Sequence, residues 1–215
     1  MSALDENAKN NIVAGEFPDS DFAELKKERD LIDRAKQGDQ LSFKKIVEKY
    51  KSQVGSLAYR MVGDYEDAKD ITQNVFVKTY QNLKRFDTKR KFSTWLYRIA
   101  MNASVDFLRK YRRHKIDRLD DLIGQLSNAK GNTERVFNDT LIRWAVKDTL
   151  GALSAKQKSV FVLRDLEGLD IKEIAQINQM PQATVRWYLH RARAKLKGEL
   201  IKRHPLVLKR IGVKI

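Results

Sequence analysis

The stretch DLEGLDIKEIAQINQMPQATVRWYLHRARAKL, Asp165–Leu196, decides the fold of the C-terminal part of this chain. Ile171, Ile174, Ala175 and Ile177 give a short first helix one apolar face. Pro181 stops that helix, because proline lacks an N–H and restricts the residue before it. A second helix starts at Gln182, with Pro181 near its first turn. Val185, Leu189, Ala192 and Leu196 recur at spacings of four, three and four, so they share a buried stripe. At about 100° of rotation per residue, Arg186, Trp187, His190 and Arg191 project away from it, as do Ala183 and Ala194. The pattern is a helix-turn-helix whose second helix suits the major groove: arginine pairs bidentately with guanine, and an aromatic ring covers a thymine methyl. Taken alone, the helix also fits an amphipathic surface element with a solvated basic face.

Outside this stretch, 215 residues are enough for one large or two small domains. Folding does not explain a formal charge of +15, which costs self-repulsion; it points to nucleic acid first and an anionic membrane second. The sequence has no apolar run of about 18 residues, the length a membrane span needs. Its N-terminus is polar and acidic rather than basic then apolar, so a soluble, cytoplasmic protein is expected. The absence of cysteine rules out a disulfide framework and a thiolate metal site. Three prolines, ten glycines and a dearth of alternating patterns predict an all-α class with two helical domains.

The organisation expected along the chain is an acidic, disordered arm over residues 1–23, a helical domain over 24–113, a flexible linker over 114–135, a second helical domain over 136–204, and a basic, apolar tail over 205–215. Asp39 or Ser42 is placed to cap a helix that continues to Gly63, and Asp64 or Tyr65 opens the next. On that helix Ala68, Ile71, Val75 and Leu83 face inward, while Asp67, Asp70, Gln73, Asn74 and Lys78 stay wet. The acidic first turn is adequately explained by the positive helix N-terminus. Further on, Ser154 and Gln157 fit a capping box, and a helix over 158–167 ends at Gly168.

Between these helices, residues 85–113 interleave aromatics and bases more densely than packing needs. Trp95, Leu96, Ile99, Ala103 and Leu108 account for a core, leaving Phe86, Thr94, Tyr97, Arg98, Asn102, Lys110, Tyr111, Arg112 and Arg113. Single-stranded DNA needs such a set, since bases stack on rings while phosphates meet lysine and arginine.

Three segments carry a family resemblance: DAKDITQNVF (67–76), RFD (85–87) and FSTWLYRIAMN (92–102) resemble region 2 of extracytoplasmic-function (ECF) sigma factors, of the sigma-70 family. The stretch from Val160 to Lys197, with RDLEG at 164–168 and TVR at 184–186, resembles their region 4. The resemblance implies a subunit that joins RNA polymerase core and lends it promoter specificity. It gives Asp67, Asp70, Gln73, Asn74 and Lys78 a docking role on the β′ clamp helices, with the β flap as a second polymerase contact. It assigns opening and reading of the −10 element to Phe86, Thr94, Trp95, Arg98 and Asn102, one base being flipped into a pocket, and the cations Lys91, Lys110, Arg112 and Arg113 of the same segment are expected to join them on the single strand. It assigns the −35 element to Thr184, Arg186, Trp187, His190 and Arg191. Relatives are commonly held inactive by an anti-sigma factor, which makes one a candidate partner beside polymerase and promoter DNA. The chain departs from the family pattern at Gln179, where the turn usually holds glycine, and at Trp187, where many relatives carry a small polar residue.

The competing reading, a stand-alone helix-turn-helix regulator, leaves segment 85–113 without a purpose. An enzyme reading finds no paired carboxylates with a base and no glycine-rich phosphate loop, and His114, His190 and His204 are dispersed. No catalytic residue, metal or cofactor is therefore expected.

Overall fold

The computed structural model describes residues 19–111 and 144–210, and these form helices and turns, with no strand among them. The first lobe contains α1 (Asp19–Lys36), α2 (Gln40–Val62), α3 (Tyr65–Asn82), a 3₁₀ turn (Leu83–Arg85) and α4 (Phe92–Tyr111). The second contains α5 (144–150), α6 (Ala155–Phe161), a π turn (Val162–Leu166), α7 (Ile171–Asn178), α8 (Gln182–Arg203) and α9 (Pro205–Arg210). No helix of the described residues is long and apolar enough to cross a membrane.

Local chemistry sets the element boundaries. Asp39 caps α2, its carboxylate accepting from the N–H of Leu41 at 2.9 Å and the hydroxyl of Ser42 at 2.7 Å. The Ser42 hydrogen bonds hold that carboxyl below the usual aspartate range. Gly63, at φ +85°, ends α2, and Asp64 caps α3 by accepting from the Asp67 N–H at 3.0 Å. Ser154 and Gln157 form the reciprocal capping box at the start of α6.

Two boundaries differ from expectation, and the departure at Gln179 takes the strained backbone that a missing glycine implies. Helix α1 begins at Asp19, inside the segment assigned to the acidic arm, and residues 1–18 lie outside the described set. The expected helix over 158–167 starts earlier, at Ala155, and widens after Phe161: the Glu167 N–H reaches back five residues to the Val162 carbonyl at 3.0 Å. In the helix-turn-helix, α7 ends at Asn178 and Gln179 supplies the bend at φ +52°, ψ +48°. It is the one non-glycine positive φ among the described residues. A left-handed L-residue costs roughly 1–2 kcal/mol, so Gln179→Gly is expected to raise unfolding free energy by about 1 kcal/mol in urea titrations; a loss of stability would show that the Gln179 side chain holds the turn.

The largest difference lies between the lobes. The sequence predicts two bundles on a tether, and the predicted linker over 114–135 falls outside the described residues. The bundles nevertheless touch: α4 packs on α7 and α6, and α2 meets the π turn. Leu96, Ala100 and Met101 of α4 share one buried cluster with Val160 of α6 and Ile174 and Ile177 of α7. A second, smaller cluster joins Leu150 and Leu153 to Ala192 and Leu196 of α8. Helical periodicity identifies a buried face but not the element that covers it, which is why this contact was illegible in the sequence.

Candidate nucleic-acid and polymerase interfaces

Three surfaces bring the predicted site residues together. The first is the recognition face of α8. Val185, Leu189, Ala192 and Leu196 are buried beneath it, while Arg186, Trp187, His190 and Arg191 are exposed and Thr184 half-buried at its start. Trp187 is 52% exposed, an unusual position for an indole with no ligand to cover. The guanidinium of Arg191 stands 5.0 Å from its ring centroid, and Tyr188 meets it edge-on at 4.9 Å. These contacts pre-orient the arginine and the indole toward solvent. Behind them Asp165 takes both ends of the Arg193 guanidinium, tying the π turn to α8 and pushing that group's pKa up.

The second surface is α4 and the loop before it. Phe86, Phe92 and Trp95 form an aromatic cluster with centroid separations of 4.9 to 5.6 Å. Phe86 is 3% exposed, which corrects its expected place as a stacking platform: it lies in the core and supports Trp95 from behind. Trp95 and Arg98 line two adjoining cavities of about 490 and 590 Å³. Asn102 lines the first of these, and Lys91 and Thr94 the second. Lys110 is exposed at the far end of α4; Arg112 and Arg113 fall outside the described residues. The cavities also gather Lys78, Arg85, Lys89 and Arg90, so an indole edge, an amide and a rim of cations converge on one place. That arrangement suits an unstacked base with its flanking phosphates.

The third surface is α3. Asp70, Gln73 and Asn74 are exposed on one face, with Asp67 half-buried at the first turn. Lys78, predicted to join them, instead lines the cavity of Asn102 and Arg98. Sequence reading missed what lies beside the polar stripe, an apolar groove of about 720 Å³ between α2 and α3, lined by Phe43, Val47, Phe76, Val77 and Tyr80 together with Gln73. Val77 is 55% and Tyr80 45% exposed, and Tyr80 meets Phe43 edge-on at 4.9 Å. The signal was present: Val77 belongs to neither the inward stripe nor the charged set.

No group of three or more His, Cys, Asp or Glu side chains stands ready for a metal among the described residues. Buried His204 is engaged locally, bonded to Asp148 at 2.9 Å and packed edge-on against Trp144 at 4.7 Å.

A helix-turn-helix beside a cationic, aromatic cavity fits a nucleic-acid-binding protein. Comparison narrows the class. Residues 46–114 match the model of Sigma-70 region 2, and residues 143–196 that of Sigma-70, region 4. The chain is 34% identical over 178 residues to the ECF RNA polymerase sigma factor SigW of Bacillus subtilis (strain 168), covering 79% of this chain and 94% of that one. It is 32% identical over 177 residues to the ECF RNA polymerase sigma-E factor of Escherichia coli (strain K12), covering 79% and 92%. Among solved structures, CnrH in complex with the cytosolic domain of CnrY superposes with a TM-score of 0.60 at 27% identity, over 82% of this chain and 98% of that one. The protein belongs to the ECF sigma factors of the sigma-70 family. It is a non-enzymatic subunit that directs RNA polymerase to promoters through its regions 2 and 4.

Proposed function

We propose that the three surfaces divide promoter recognition among them. Residues 24–113 act as region 2, with the Trp95–Arg98–Asn102 cavity taking an unpaired base of the −10 element and Lys91, Lys110 and the adjoining arginines holding its phosphates. Thr94 stands at the rim of the same site. Residues 136–204 act as region 4, docked on the β flap, with Thr184, Arg186, Trp187, His190 and Arg191 reading the −35 element. The polar stripe of Asp67, Asp70, Gln73 and Asn74, with the Val77–Tyr80 groove beside it, docks on the β′ clamp helices. The complex of CnrH with the cytosolic domain of CnrY supports a further protein partner for this fold, here an anti-sigma factor acting in the cytoplasm.

The observation that carries the reading is the convergence of Trp95, Arg98 and Asn102 on one cavity ringed by cations. Run-off transcription with purified core polymerase and a promoter library, with and without the protein, tests it. A defined set of transcripts that depends on the protein is expected, and an unchanged pattern would refute the reading. Within that assay Arg186→Ala is expected to cost about 1–3 kcal/mol of discrimination at one base pair of the −35 element. A uniform loss across all −35 sequences would show that Arg186 meets phosphate instead.

A further inference from the structure

The exposed face of α8 carries one side chain that packing does not explain. Trp187 is 52% exposed on a helix whose buried stripe is Val185, Leu189, Ala192 and Leu196, so its ring supports no core. The indole is nonetheless held. Tyr188, half-buried against the core, meets it edge-on at 4.9 Å, and the Arg191 guanidinium stands over the ring at 5.0 Å from its centroid. The other arginines of α8 are taken elsewhere: Arg193 by Asp165, Arg203 by Asp148 and Glu199, and Arg186 by the Gln182 amide oxygen at 3.4 Å. Arg191 leans on the ring instead and stays exposed. Residues four apart stand about 6 Å from each other along a helix, less than two rises of duplex DNA at about 3.4 Å per base pair. In the major groove, over that span, a thymine presents its C5-methyl and a guanine its O6 and N7 acceptors.

We infer that Trp187 and Arg191 form one composite reader of the major groove: the indole covers the C5-methyl of a thymine and holds the guanidinium on a guanine within two base pairs of it. This rests on the reading of α8 as the −35 helix and names the base chemistry that helix selects. Bracing by Tyr188 and Arg191 fixes the indole before DNA arrives, so little side-chain entropy is lost on docking. The stacked guanidinium is aimed in the same way, and its planar fork remains available to the paired acceptors of guanine. A small residue at position 187 would leave the methyl uncovered and the arginine unguided.

The test uses the full-length chain with core polymerase on a promoter selected by run-off transcription, with binding read by equilibrium competition. Each −35 thymine is replaced in turn by deoxyuridine, which removes only the methyl, and each guanine by 7-deazaguanine, which removes only the N7 acceptor. For the parent, one deoxyuridine is expected to weaken binding by roughly 3- to 5-fold, the effect of withdrawing one buried methyl. One 7-deazaguanine, within two base pairs of that thymine, is expected to weaken it by about 5-fold or more. Trp187→Ala abolishes the first response and shrinks the second, Trp187→Phe restores part of both, and Arg191→Ala abolishes the second alone. A parent indifferent to every deoxyuridine, or a deoxyuridine response that survives Trp187→Ala, overturns the methyl reading. A 7-deazaguanine response untouched by Trp187→Ala overturns the coupling of the two side chains. In each of these cases a shift of −35 preference in Arg186→Ala keeps the assignment of α8. Parent binding indifferent to every −35 base overturns that assignment as well.

Discussion

Val77→Asp is expected to reduce loading onto core polymerase by about a hundredfold or more. The side chain lies on the outer face of α3, 55% exposed, and closes the apolar groove shared with Phe43, Val47 and Tyr80. A partner helix that covers this groove would bury the new carboxylate among apolar walls, Lys51 at the groove offsetting only part of a desolvation cost of several kcal/mol. At 1.4 kcal/mol per tenfold, two decades of affinity follow. The fold is spared because the position is solvated in the free protein, so circular dichroism and the unfolding midpoint should match the parent. Asp70→Arg, on the polar stripe, tests the electrostatic half of the same contact and is expected to have the smaller effect, since rim charges govern encounter more than affinity. Unchanged co-purification of the Val77 variant with core would move the docking site elsewhere.

The second large effect is expected at Trp95. Its indole packs against Phe86 and Phe92 on one side and lines both α4 cavities on the other. Base–aromatic stacking contributes about 1–3 kcal/mol per base, so Trp95→Ala should lower the yield of open complexes by roughly 5- to 150-fold. It also opens a hole in the aromatic cluster, so Asn102→Ala is the cleaner companion. Asn102 is exposed on α4 and supports no core; its loss removes one hydrogen bond to a base edge, about 1 kcal/mol. Both variants should retain polymerase binding. Stopped-flow fluorescence of a dye at the −10 element would separate slower opening from weaker docking, and wild-type opening by both would refute the pocket.

The helix-turn-helix was legible because the 3.6-residue period and the proline are local: Val185 to Leu196 fall on the buried stripe, and Trp187 and Arg191 on the open face. Caps were legible for the same reason, since Ser154, Gln157 and Asp64 act on atoms three residues away. Phe86 was misplaced because composition alone does not separate a ring that stacks on a base from one that braces a neighbouring indole. The Val77 groove was missed because its walls come from α2 and α3, two helices whose pairing no periodicity specifies. The seam between lobes escaped for a related reason: Lys91 and Glu173 are 82 residues apart in sequence yet joined in space.

The central claim, that this chain brings polymerase to a promoter and opens the −10 element through α4, is met most directly by permanganate reactivity of thymines on a promoter selected in the run-off assay. With core and protein together, a short block of reactive thymines should appear around the −10 element and vanish with Asn102→Ala and Trp95→Ala combined. Duplex DNA that stays unreactive while the protein alone binds it tightly would contradict the account and mark the chain as a stand-alone regulator.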